Sequence, residues 1–186
     1  MRKARGLCLG VAVAMLADVA VAGGLRAENV LTPLPAGFKI GSQGTQGPMT
    51  GAEYVPANET VDRWSTMITV QIFHNLPRHD PDGFASNLAV QWKASCTNSD
   101  TVKVTSGAEN GYPFSVWMYN CPLNTQTGKP ENMWMKVIGG ADSLYAVQYA
   151  DRQAMNKALI GPAMGYLRKV VACDTRRPDR PCPKGM

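Results

Sequence analysis

The sequence feature that most constrains the fold is a set of four cysteines, Cys96, Cys121, Cys173 and Cys182, an even number once Cys8 is assigned to an N-terminal leader. In an exported chain an even number predicts two disulfides, with three possible connectivities. The pairing of sequence neighbours, Cys96 with Cys121 and Cys173 with Cys182, is the simplest. Chain entropy gives about 3.5 kcal/mol for the longer loop and about 2.7 kcal/mol for the shorter. A zinc site is the alternative, but the chain has no C-x-x-C pair and no histidine near a cysteine in sequence.

The N-terminus has the three parts of a signal peptide. Residues 1–5 are cationic, residues 6–17 are uncharged and mostly apolar, and Ala20-Val21-Ala22 supplies small residues for cleavage. The apolar run is shorter than the about 20 residues that a membrane span needs. We therefore predict a cleaved signal peptide over residues 1–22, with a cut after Ala27 as the alternative. The mature chain, residues 23–186, is predicted to be periplasmic or secreted and to have no transmembrane segment.

Charge points to one class of partner. The formal net charge is +5, and basic residues concentrate near the C-terminus, at Arg168, Lys169, Arg176, Arg177, Arg180 and Lys184. Such a cluster is compatible with an acidic envelope protein or an anionic surface as partner, but ordinary solvated charge that helps solubility is the favoured interpretation. Nucleic acid is not an expected partner, because the aromatic residues are not interleaved with the basic cluster and export removes the usual ligand.

Two segments have a clear periodicity. Residues 65–73 alternate, with Met67, Thr69, Gln71 and Phe73 on one face and Ile68, Val70 and Ile72 on the other, which predicts a strand. Asp80 followed by Pro81 predicts the start of a helix, with Asp80 as N-cap. Its apolar face, Phe84, Leu88, Trp92 and Cys96, is expected to lie on the sheet and to bring Cys96 to Cys121.

The remaining elements are predicted from turn residues and alternation. Strands are expected at 38–40, 49–55, 101–105, 112–120, 132–138 and 143–149, the last two joined by a tight turn at 139–142. Asp151 is predicted to cap a closing helical region that is interrupted at Gly161-Pro162 and resumes from Pro162 to about Ala172. Residues 173–182 are expected to form an irregular loop closed by a disulfide. The prediction is one α+β domain, a twisted antiparallel sheet covered by helices in the order β-β-β-α-β-β-β-β-α.

This order of elements resembles the PsbP-like sandwich, in which strands and helices form layers. Two short stretches, Gly140 to Gln148 followed by Arg152, and Val171 to Arg176 followed by Cys182-Pro183, also resemble small uncharacterised exported proteins of Proteobacteria. The resemblance implies a fold and a compartment. It implies no activity, and no catalytic residue is carried over from it.

The search for catalytic motifs returns no nucleophile elbow, phosphate loop, H-E-x-x-H or dinucleotide fingerprint. His74 and His79 are the two histidines, and with Asp80 and Asp82 they are candidates for a zinc or copper(II) site. The favoured interpretation is that Asp80 caps a helix and that both histidines are solvated.

A second candidate is a copper(I) site of thioethers. Met118, Met133 and Met135 accompany Trp117 and Trp134 on strands that are expected to be neighbours. Core packing is the favoured alternative, since Met fills irregular gaps and packs well against aromatic rings.

From these observations we expect a non-enzymatic protein-interaction or small-ligand-binding module of the cell envelope, without a cofactor. Arg176, Arg177 and Arg180 are the candidate partner-binding residues. The alternatives are an envelope hydrolase whose site is assembled only in three dimensions, or a protein that handles copper.

Overall fold

The computed structural model describes residues 25–183, and the predicted signal peptide, residues 1–22, lies outside that range. The strands are β1 (Glu28–Leu31), β2 (Phe38–Gln46), β3 (Met49–Pro56), β4 (Thr66–His74), β5 (Cys96–Thr97), β6 (Asp100–Glu109), β7 (Tyr112–Asn124), β8 (Lys129–Gly139), β9 (Ser143–Asp151) and β10 (Val171–Asp174), and the helices are α1 (Pro81–Ser95) and α2 (Lys157–Leu167). No helix of this range is both long and apolar enough to cross a membrane.

The main sheet is antiparallel and has the strand order β2-β3-β4-β9-β8-β7, with β6 and the two-residue β5 both paired to the outer edge of β7. β1 and β10 form a separate two-stranded ribbon. The α+β class is therefore confirmed. The order of elements differs from the predicted one because β1, β5 and β10 are additional strands.

The alternation of β4 divides the core into two layers, as predicted. Ile68 and Val70 lie in the layer beneath α2, and Met67 and Phe73 lie in the layer beneath α1. Since both faces of the sheet carry apolar side chains, each needs a helix to cover it. The central strand β8 is buried over most of its length.

Helix α1 begins where the sequence predicts. The Asp80 carboxylate accepts hydrogen bonds from the amides of Asp82 (3.1 Å) and Gly83 (2.9 Å), and Pro81 occupies the first turn. The most deeply buried residues of its face are Ala85 and Ala89, and the predicted residues Phe84, Leu88 and Trp92 are half-buried beside them. The helix ends at the buried Cys96, which forms the predicted disulfide with Cys121.

The predicted closing helices are wrong in two respects. Asp151 ends β9, and the N-cap of α2 is Asn156, whose side chain accepts from the Ala158 amide (2.9 Å). The helix also continues through Pro162 instead of breaking there. Pro162 lies on the solvent side of α2, where water can satisfy the carbonyl that loses its donor. The buried face of the helix is unaffected by it and consists of Leu159, Ala163, Tyr166 and Leu167.

The predicted second helix, 162–172, does not extend beyond Leu167. Residues 171–174 instead form β10, whose partner is the N-terminal strand β1, with Leu31 opposite Val171 and Glu28 opposite Asp174. Cys173 therefore belongs to a strand, and the predicted irregular loop includes two strand residues.

Two edge strands are longer than predicted. β2 extends to Gln46, through a segment rich in Gly, Gln and Thr that is predicted to be a turn, and β6 extends beyond Thr105 to Glu109. Both strands are largely exposed and contain a bulge, at Ile40/Ser42 in β2 and at Lys103/Thr105 in β6. Exposed edge strands need no apolar alternation, so the pattern that identifies β4 is absent from them.

Candidate functional site

The disulfide-closed segment from Cys173 to Cys182, hereafter the stapled loop, is held at its base by a buried carboxylate. Cys173 is bonded to Cys182, as the simplest pairing predicts. The side chain of Asp174 is 0% exposed. It accepts from the Arg176 amide (2.8 Å), from Arg176 Nε (2.9 Å) and from Arg176 Nη2 (2.6 Å). The Asp174 amide also donates to the Arg180 carbonyl across the loop (2.8 Å).

The close contact between Asp174 and Arg176 shifts the pKa values of both groups. The Arg176 guanidinium holds the pKa of the Asp174 carboxyl below its ordinary value, and Asp174 in turn raises the pKa of Arg176. Arg176 Nη2 also contacts Asp142 (2.5 Å), in the turn between β8 and β9. The guanidinium of Arg176 thus forms salt bridges with both Asp174 and Asp142, and it connects the stapled loop to the main sheet.

The same turn binds the carboxylate of Glu28, the first residue of β1. Glu28 accepts from the amides of Ala141 (2.5 Å), Asp142 (3.1 Å) and Ser143 (3.3 Å), and from the Tyr145 hydroxyl (2.9 Å). Successive amides that point to one site form an anion-binding concavity, here filled by the protein's own side chain. Burial, and secondly the Glu28 charge, raises the pKa of the Tyr145 hydroxyl, which keeps it a hydrogen-bond donor.

Gly140 is required for this arrangement. A Cβ atom on Gly140 would overlap the Glu28 carboxylate and would also press on the carbonyl of Ser143 (2.5 Å). The residue must therefore lack a side chain for Glu28 to reach the turn. As a result the β8–β9 turn, β1 and the stapled loop form one connected unit. The two stretches that carry the resemblance, 140–148 and 171–176, contact each other within it.

The three candidate arginines have different environments. Arg176 is committed to Asp174 and Asp142, as described above. Arg180 is stacked on Tyr112, with its guanidinium carbon 4.3 Å from the ring centroid. Arg177 is 46% exposed, and among residues 25–183 its one ionic partner is Asp179 at 3.0 Å, which is itself 59% exposed. The Arg176 side chain is slightly more exposed (51%), but two carboxylates share its charge, so the charge of Arg177 is the least committed of the three.

A groove of about 370 Å³ lies on the outer side of the stapled loop. Its walls are formed by Asp174, Thr175, Arg176, Arg177, Pro178, Pro181 and Cys182. The three arginines of the loop are balanced by its two aspartates together with Asp142, so the formal charges there sum to zero. The three arginines of the stapled loop are therefore paired with neighbouring carboxylates, which the linear order of charges does not reveal.

The histidine candidates lie in polar, exposed positions. His74 ends β4, and its Nε2 is 2.9 Å from the Thr50 hydroxyl. His79 lies in the loop before α1, and Asp80 is occupied as N-cap of that helix. Within residues 25–183 the structure has no group of three or more His, Cys, Asp or Glu side chains placed to bind a metal ion.

The sulfur candidates are divided between the two faces of the sheet. β7 and β8 pair with Met118 opposite Trp134, and both residues belong to the layer beneath α2. Met133 and Met135 lie in the other layer, beneath α1, together with Trp117. The sheet therefore separates Met118 from the other two thioethers. All three serve as packing residues in the described structure.

Two residues of these sites, Glu28 and Lys136, are not predicted from the sequence. Glu28 has no local pattern, because its amide partners are more than a hundred residues away. Lys136 carries a detectable signal: it shares a strand face with Trp134 and Ile138, and the other residues from 133 to 139 are apolar or glycine. A charged residue at an inward position is rare and indicates a specific interaction.

No protein-family model matches the chain, and no curated protein matches it. Similar solved structures include a point mutant of the protein Mog1 (13% identity, 76% of this chain and 89% of that chain covered, TM-score 0.46). They also include the Ran-binding protein Mog1p of Saccharomyces cerevisiae (11% identity, 78% and 95% covered, TM-score 0.45). A third is LpqN, involved in cell envelope biogenesis of Mycobacterium tuberculosis (8% identity, 80% and 83% covered, TM-score 0.41). Such likeness concerns the fold alone, and no residue role or partner is transferred from it.

Proposed function

We propose that this protein is a non-enzymatic interaction module of the cell envelope, periplasmic or secreted, that binds an acidic partner through the outer face of the stapled loop. In this proposal residues 1–22 are a cleaved signal peptide and residues 23–186 form one domain of the PsbP-like sandwich type. The observation that carries the proposal is the construction of the loop, which is fixed on its inner side and exposed on its outer side.

One observation supports export, and a second bears on the position of cleavage. Disulfides persist in oxidising compartments, and the chain has two of them. Three of the four cysteines, Cys96, Cys121 and Cys173, are buried. The contacts of Ala27 favour cleavage after Ala22 over the alternative. The Ala27 carbonyl accepts from the Thr175 amide (3.0 Å) and from the Asn29 side chain (2.8 Å), and a cut directly after Ala27 would remove that residue.

Rigidity is the physical advantage of the stapled loop as a contact surface. The disulfide, the buried Asp174 and the link through Arg176 to Asp142 fix the backbone before any partner arrives. A preordered loop loses little conformational entropy on binding, so more of the contact energy appears as affinity.

Arg177 is the proposed recognition residue. Its partner Asp179 is exposed, and a surface ion pair of this kind contributes little to stability because solvent screens it. A carboxylate of an acidic protein can therefore replace Asp179 at small cost. Arg176 and Arg180 have structural roles in this proposal, since one neutralises a buried carboxylate and the other is stacked on Tyr112.

The test places a photo-crosslinking amino acid at Pro178, on the wall of the groove, in the protein exported by its source cell. A control protein carries it at Val90, which is 71% exposed on α1. We expect a discrete protein adduct from position 178 that is absent from position 90.

Arg177→Ser should reduce that adduct, and so should added salt, while the matched change Arg63→Ser at another exposed position should leave it unchanged. Equal adducts from both positions, or no effect of Arg177→Ser, would contradict the proposal. An adduct to anionic lipid and not to protein would contradict an acidic protein as the partner and would identify a membrane surface instead.

A further inference from the structure

A second concave site lies between α2 and the β6–β7 edge of the main sheet. This cavity, hereafter the α2 cavity, has a volume of about 310 Å³. Its apolar lining comes from Val104, Phe114, Val116, Met164 and Leu167. It shares no lining residue with the groove of the stapled loop.

The floor of the α2 cavity contains a buried cation. Lys136 is 3% exposed, and its Nζ lies 4.9 Å from the centroid of the Phe114 ring. The ammonium donates to the Val170 carbonyl (2.7 Å), to the Leu167 carbonyl (3.4 Å) and to the Glu109 carboxylate. A buried ammonium needs an anionic partner, because burial alone would strongly disfavour its charge.

The anion that meets this need is partly exposed to solvent. The side chain of Glu109 is 38% exposed and lies at the mouth of the cavity, on the edge strand β6. Arg168 also lines the cavity and forms no salt bridge with any residue of the range 25–183. Two cations therefore face one displaceable carboxylate, in surroundings that are otherwise apolar.

Apolar walls around a few convergent polar groups are typical of small-ligand sites, which begin at about 300 Å³. We propose that the α2 cavity binds a small amphiphilic monocarboxylate of roughly ten non-hydrogen atoms. The ligand carboxylate replaces Glu109 on Lys136 and is also paired by Arg168. Its hydrocarbon part lies against Val104, Phe114 and Met164.

The probes are octanoate and octan-1-ol, which share a chain and differ in charge. The reporter is the ¹³C-labelled methyl group of Met164, a residue of the cavity wall. Octanoate should shift this resonance saturably, and octan-1-ol should bind about tenfold more weakly because it lacks the charge. No saturable shift with octanoate, or equal affinities of the two probes, would overturn the proposal.

Glu109→Gln distinguishes a ligand site from a purely structural ion pair. It removes the competing carboxylate and should tighten octanoate binding by about fivefold. Val104→Asp should abolish binding. Val102→Asp is the matched control, because Val102 and Val104 are 45% and 44% exposed on the same strand and only Val104 lines the cavity. Weaker binding to Glu109→Gln, or equal losses at positions 102 and 104, would contradict the assignment.

Discussion

The Glu28 carboxylate offers the sharpest test of how the stapled loop is supported. One oxygen accepts from the Ala141 amide, and the other accepts from the amides of Asp142 and Ser143 and from the Tyr145 hydroxyl. In Glu28→Gln one oxygen becomes an amino group that cannot accept. At best the remaining oxygen of the glutamine accepts from Asp142, Ser143 and Tyr145, and the Ala141 amide loses its acceptor.

The cost of that change can be estimated from its parts. A hydrogen bond to a charged group contributes about 1.5–3 kcal/mol, and the remaining bonds lose their charge assistance. We expect Glu28→Gln to lower the free energy of unfolding by about 3 kcal/mol, which lowers the melting temperature by about 6–12 °C. Hydrogen exchange at the Thr175 amide should also become faster, because Thr175 donates to the residue that precedes Glu28.

Urea denaturation followed by far-UV circular dichroism measures the change. The matched control is Glu53→Gln, since the Glu53 side chain forms no hydrogen bond or salt bridge with the described residues. Gly140→Ala should reproduce the loss by displacing Glu28, while Gly44→Ala, where a Cβ would meet no atom within 4 Å, should not. A loss below about 0.5 kcal/mol for Glu28→Gln, the usual range for surface substitutions, would refute this account of the turn.

Three further predictions concern stability. Replacing Cys173 and Cys182 together by serine should lower the free energy of unfolding by about 2.7 kcal/mol and expose the loop to proteolysis; unchanged urea midpoints would contradict this. The pKa of Asp174 is depressed in the folded protein, so its stabilising contribution is complete above the ordinary pKa of about 4 and disappears as the pH falls further. The stability difference between the native protein and Arg176→Gln should therefore narrow below about pH 4, and a constant difference would contradict this. Asp80→Ala should cost about 1 kcal/mol through loss of the helix cap, measured by thermal denaturation.

The elements that the sequence predicts are those with strong local signals. β4 has period-two alternation with β-branched residues, and α1 has a capping aspartate followed by proline. The hairpin of β8 and β9 is indicated by the turn at 139–142. Each of these signals acts over a few residues, so no knowledge of the tertiary structure is required to read it.

The elements that the sequence does not predict depend on distant partners. β1 and β10 pair across most of the chain length, and neither has a pattern of its own. Pro162 looks like a helix break, yet the packing of Leu159, Ala163 and Tyr166 on the sheet outweighs one missing hydrogen bond. Tertiary contacts commonly override local propensity in this way.

The candidate site shows the same division. Arg176, Arg177 and Arg180 are recognisable as a basic cluster, but only the fold shows that Asp142 and Asp174 neutralise Arg176 and leave Arg177 accessible. The α2 cavity also depends on the tertiary structure, because its ion pair joins Glu109 of β6 to Lys136 of β8.

The most direct test of the central claim is the intact mass of the natural protein, alkylated without reduction when the source cells are opened. The proposal predicts a chain that begins at Gly23 and carries no alkyl group, because Cys8 has left with the leader and the other four cysteines are oxidised. A protein that retains Met1 and takes up one alkyl group at every cysteine would place the chain in a reducing compartment and contradict the proposal of an exported module with a stapled loop.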